Sequence, residues 1–121
     1  MIWALRVAFW VQALLGLGLS RILAGMAPAD PERNAHLVVG LVAAILAITV
    51  LRPVGPDDTF ATMARFFPLL PLAVGLGIRS GAIGGQGIFI LHILLGLAAI
   101  GLVEASIARR RRALGGADAS R

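Results

Sequence analysis

The chain has 121 residues, 59% apolar and 14% charged, with a mean hydropathy of +0.91. Soluble domains are about half apolar and about a quarter charged, and disordered chains are more polar still, so both classes are excluded. With no cysteine, a disulfide framework, a thiolate zinc site, an iron–sulfur cluster and a thiol nucleophile are excluded as well.

A bilayer core about 30 Å thick takes about 20 apolar residues in a helix. Four segments meet that length in chain order: 2–24, 33–51, 60–79 and 88–107. The first runs from Ile2 and contains Arg6, Gln12 and Arg21. Ala27-Pro28-Ala29 after it has the form of a signal-peptide cleavage site, but Arg21 interrupts the apolar run, so the segment is read as a retained span. Asp30 and Pro31 then suit the cap and first turn of the second helix. The link at 52–59 is rich in breakers, as is the link at 80–87. Pro68 and Pro71 predict a kink in the third span. Glu104 lies at the depth of the basic border and predicts an ion pair with Arg6, Arg65 or Arg109. The residues from 113 to 121 read as a flexible cytoplasmic tail.

All 11 basic residues are arginine, and four of them stand together at 109–112. No aromatic residue interleaves with that run, so it suits an anionic lipid surface and not nucleic acid. With both termini inside, seven arginines lie on the inner side (6, 52, 65 and 109–112) and three on the outer (21, 33 and 79). Positive charge thus predicts an N-in, C-in topology. The arginine-rich, lysine-free composition points to a prokaryotic inner membrane.

The two halves read as copies of one hairpin. Arg6 is followed ten residues later by Gly16-Leu17-Gly18, and Arg65 ten residues later by Gly75-Leu76-Gly77. HLVVGLVAAILA at 36–47 matches HILLGLAAIGLV at 92–103 at five of twelve positions, with both histidines in register. Repeat 1 covers about 2–51 and repeat 2 about 60–107, in a single domain of 1–112. Two helices per unit make the repeats parallel, about an axis along the membrane normal. His36 lies 16 residues before Arg52 and His92 lies 17 before Arg109. At 1.5 Å per residue both stand about 25 Å from the inner border, at one height toward the outer leaflet.

Folding the first hairpin about residue 28 puts Arg21 beside His36, and folding the second about residue 85 or 86 puts Arg79 beside His92. Gly40 and Gly96 lie one turn inward on the histidine faces. Two neutral imidazoles facing each other across a bundle core suit ligation of a haem iron from both sides. Glycine one turn away leaves room for the macrocycle. Arg21, Arg79 and Arg33 are placed to receive its anionic propionates. The alternative for Gly40 and Gly96 is close helix packing, which is also the better reading of Gly16, Gly18, Gly75 and Gly77.

The pattern of H-x-x-x-G twice, on the second and fourth helices, resembles small four-helix membrane b-type cytochromes. In particular it is similar to one half of the haem A synthase family. The resemblance covers about residues 1–112 and implies His36 and His92 as axial ligands of one haem b per chain. The chain resembles one half of such a synthase, so haem binding for one-electron transfer or haem handling is expected in preference to synthase activity. Its partners would be the lipid bilayer and a redox protein or quinone, with a homo-oligomer or larger membrane complex left open. A small transporter or channel, or a structural subunit without haem, is the alternative. The expected fold is therefore an all-α four-transmembrane-helix bundle built from two tandem parallel hairpins.

Overall fold

The computed structural model describes residues 1–19, 30–53 and 58–118. These residues are all-helical, without strands: α1 (Ile2–Leu19), α2 (Asp30–Val50), α3 (Thr59–Phe66), α4 (Leu69–Arg79) and α5 (Gln86–Asp118). α3 and α4 are two parts of one rod, so the bundle has four. Three helical stretches are long and apolar enough to cross a membrane: Pro31–Val50, Thr59–Arg79 and Gln86–Ala113. α1 is shorter, with an apolar run of Ile2–Gly18. The remainder of the expected first span, with Arg21, lies outside the described residues.

The interruption between α3 and α4 follows from proline chemistry. Pro68 and Pro71 have no N–H to give to the carbonyls of Ala64 and Phe67. The Phe67 carbonyl accepts instead from Leu70 N at 2.9 Å. Phe67 and Pro68 both keep right-handed helical angles, so the helical path continues through the interruption. At the start of α3 the Asp58 side chain accepts from Ala61 N at 3.1 Å, a cap that satisfies one of the free N–H groups.

The turn after α4 is a Schellman motif. Ser80 is the C-cap and Gly81 follows with φ +75°. Ala82 N donates to the Gly77 carbonyl at 3.0 Å and Gly81 N to the Ile78 carbonyl at 3.1 Å. Gly77 is small because Ile83 folds back over it, leaving a β-carbon there only 2.9 Å from the Ile83 side chain.

α1 packs on α2 and α5, and the α3–α4 rod also packs on both, so α2 and α5 occupy opposite corners. Three contacts collect the helix ends that carry charge. Arg6 Nε donates to Glu104 Oε1 at 2.8 Å, Arg110 Nη1 donates to the Val50 carbonyl at 3.2 Å, and the Arg109 guanidinium lies 4.7 Å from the Phe60 ring centre. The start of α1, the end of α2, the start of α3 and the arginine run of α5 therefore share one end of the bundle, and α2 and α5 run parallel. Glu104 takes the first of its three expected partners.

α2 begins at Asp30, as the Asp30-Pro31 pair predicts, three residues before its apolar run. α5 does not end near 107 but continues to Asp118, carrying Arg109–Arg112 on a helix. Alanine, leucine and arginine extend a helix at little cost once it is nucleated, and arginine stems can reach outward to an interface.

The buried core is confined to the charged half. It consists of Leu5 and Phe9 of α1, Ala43, Ala47 and Val50 of α2, Leu51, Ala64 of α3, and Ala99, Val103 and Ile107 of α5. Its alanines let the backbones approach closely, which is how helices associate without a hydrophobic driving force. Large apolar side chains such as Leu14, Val38, Ile45, Leu94 and Leu97 stand exposed on the outside. Such a surface matches hydrocarbon and not water.

Candidate functional site

His36 stands six residues after the first residue of α2, and His92 six residues after the first of α5. At 1.5 Å per residue each is about 9 Å into its helix. Since α2 and α5 are parallel and diagonal, the two side chains meet across the middle of the bundle. Their ring centroids are 6.1 Å apart, with the planes at 75°. A metal–imidazole bond is about 2 Å and the ring centre lies roughly 1 Å behind the ligating nitrogen, so imidazoles on opposite sides of one ion have centroids about 6 Å apart.

Each ring rests against a glycine of the neighbouring helix. A β-carbon on Gly16 would lie 3.1 Å from His36 Cε1, and one on Gly75 would lie 3.0 Å from His92 Cε1. Any larger residue must displace the imidazole. These are the glycines that sequence reasoning assigned to helix packing. Their even ten-residue spacing after Arg6 and Arg65 was the available signal.

Gly40 faces the neighbouring helix α1, as the close-packing alternative expects. A β-carbon there would stand 2.7 Å from Gln12 Nε2, so Gly40 makes room for the Gln12 side chain. Gln12 Nε2 in turn lies 3.3 Å from His36 Nε2. Main-chain groups also face the rings, that of Gln12 toward His36 and that of Pro71 toward His92. A β-carbon on Gly96 would meet nothing within 4 Å.

Three buried polar atoms of this cluster have no hydrogen-bond partner: Nδ1 of His36, Nδ1 of His92 and Oε1 of Gln12. In apolar surroundings each such atom costs several kcal/mol. The packing around them is sparse. At this level, residues 10–18 of α1, 31–42 of α2, 72–79 of α4 and 86–98 of α5 include no buried residue. Two hollows, of about 360 and 230 Å³, lie at the opposite end, lined respectively by Arg6, Glu104, Arg111 and Arg112 and by Arg52, Phe60, Ser106 and Arg110.

The arginines are placed as follows. Arg79 does not stand beside His92, because Gly75 does; Arg79 is exposed one turn nearer the Ser80–Gly85 turn. The difference arises because α5 starts at Gln86, two residues earlier than expected, which moves the fold-back point of the hairpin. Arg33 is exposed, almost one turn before His36. Arg21 lies outside the described residues.

No group of three or more His, Asp or Glu side chains able to hold a metal ion occurs among the described residues. An ion between the imidazoles would have two ligands from the protein. Comparison with protein-family models, curated proteins and solved structures finds no match to this chain.

Proposed function

We propose that this chain is an integral membrane b-type haem protein that carries out one-electron transfer or haem handling. The observation that carries the reading is the imidazole pair. Two histidines on diagonal helices stand 6.1 Å apart, each with a buried, unpartnered ring nitrogen, at a level of the bundle that lacks buried packing. His36 and His92 would be the axial ligands of one haem b. A bis-histidine haem supplies reversible one-electron chemistry with no open iron position.

The protein's own groups then have defined tasks. Gly16 and Gly75 set the position of each imidazole by leaving it space. The open surroundings of Gly96 leave room for a flat apolar ring. Arg33 and Arg79, on the turn side of the histidines, would receive anionic propionates, as would Arg21 by its sequence position. Their positive charge would favour the reduced, less positive centre.

The reading also includes the duplicated hairpin, with both termini cytoplasmic in a prokaryotic inner membrane. The paired contacts Gly16–His36 and Gly75–His92 support the duplication, because they join residues that correspond in the two halves. The abundance of arginine at the α5 end supports the orientation. The likeness to one half of the haem A synthase family fits the same reading, and the electron partner would be a membrane protein or a quinone.

The test is optical. The chain is purified in detergent from haem-sufficient cells and a reduced-minus-oxidised spectrum is recorded. The expected result is a low-spin b-type spectrum with one haem per chain. A colourless protein that also fails to bind added haemin rejects the reading. Proton-coupled uptake into liposomes without absorbance would favour a transporter instead.

A further inference from the structure

We infer that Gln12 is a positioning residue for His36: its amide oxygen accepts the His36 Nε2 proton, which fixes the tautomer and leaves the lone pair on the buried Nδ1. The haem part of the test below rests on the function proposed above; the rest does not.

The two histidines are not equivalent in their surroundings. Main-chain groups of Gln12 and Pro71 face the two rings alike, but only His36 also has a side-chain partner, Gln12 Nε2 at 3.3 Å. Gln12 is held in place by the absence of a side chain at Gly40, where a β-carbon would come within 2.7 Å of it. It is also the only uncharged amide inside α1.

A neutral imidazole has one N–H donor and one lone pair. Turning the amide so that oxygen faces the ring exchanges the O and N positions without moving the side chain, an exchange that geometry alone permits. In that orientation the Gln12 oxygen accepts the ring N–H, and the amide N–H groups take the place that the unpartnered oxygen held. The His36 lone pair is then confined to Nδ1, a buried nitrogen with no protein partner. An acceptor behind one ring nitrogen orients the other and raises its basicity toward a metal.

The experiment uses the whole chain in detergent, labelled with 15N-histidine. The chain has just two histidines, so four ring nitrogens are observed, and a His92→Gln variant assigns them. The wild type should show His36 as a single tautomer protonated at Nε2. Gln12→Leu should convert it to a mixture of tautomers, and Gln12→Met, which keeps the length without the amide, should do the same if the leucine variant folds poorly. Gln12→Glu, which retains an acceptor, should restore the single tautomer. Haemin affinity should fall about 10- to 100-fold in Gln12→Leu and recover in Gln12→Glu.

An unchanged His36 spectrum in both Gln12→Leu and Gln12→Met overturns the inference. So does a Gln12→Glu variant that behaves like leucine, since it would make Gln12 a donor. If the wild type binds no haemin but the tautomer collapses in Gln12→Leu, the haem reading fails and the role of Gln12 stands.

Discussion

His36 and His92 bring the two halves of the bundle together at the site, with ring centroids 6.1 Å apart. The proposal requires both, so His36→Ala and His92→Ala should each abolish the low-spin spectrum while leaving the helical circular dichroism intact. The glycines against the rings give a sharper check. Gly75→Val places bulk 3.0 Å from His92 Cε1 and should reduce haem occupancy several-fold, read as the haem-to-protein absorbance ratio. Gly101→Ala meets nothing within 4 Å in the middle of α5. It should leave the occupancy unchanged and raise helix stability by about 0.5–1 kcal/mol, the difference in backbone freedom between glycine and alanine. A loss of haem in both variants would show that the ring contact is not the cause.

Among the elements, the turn between α4 and α5 carries the most specific demand. Gly81 has φ +75°, a conformation that costs an L-residue roughly 1–2 kcal/mol. Gly81→Ala should therefore lower the unfolding free energy in mixed micelles by about 1 kcal/mol. Gly84→Ala, with open space and no positive φ, should cost less. The interruption at Phe67–Pro68 has a different consequence, because it sets how the Gly75 end of the rod approaches α5. Pro68→Ala gives the Ala64 carbonyl a donor and should straighten the rod. A measurable outcome is a changed His92 15N spectrum with an unchanged His36 spectrum.

The whole molecule is held together differently at its two ends. At the charged end, small residues pack into a closed core and Arg6 pairs with Glu104 across α1 and α5. Both side chains are partly exposed, so the pair contributes no more than about 0.2–1 kcal/mol. Glu104→Gln should lower the thermal midpoint only slightly and leave the spectrum unchanged. At the histidine end the closed core stops and polar atoms lack partners, which is the distribution expected of a scaffold plus a site. Orientation can be read directly because the chain has no native cysteine. Ala113→Cys should react with an impermeant maleimide only in inside-out vesicles, and Ala82→Cys only in right-side-out vesicles. The reverse labelling would invert the proposed topology.

The apolar lengths of three spans, the interruption at the prolines, the link after α4 and the equal positions of the two histidines in their helices are all legible in the amino-acid sequence. They depend on local properties: hydrophobic length, missing N–H groups, and a count of residues along a helix. The facing residues depend on something else. A helix turns by about 100° per residue, and a shift of two residues in a turn changes which side chain stands opposite which. That is why Gly75 and not Arg79 meets His92, why Gly40 serves Gln12 instead of a ring, and why Glu104 selects Arg6 from three arginines. The sequence by itself determined the helices and the matching positions of the histidines along them. Only the tertiary structure decided the neighbours of each ring, because helix rotation and hairpin level are set by packing between helices and not by residues within one.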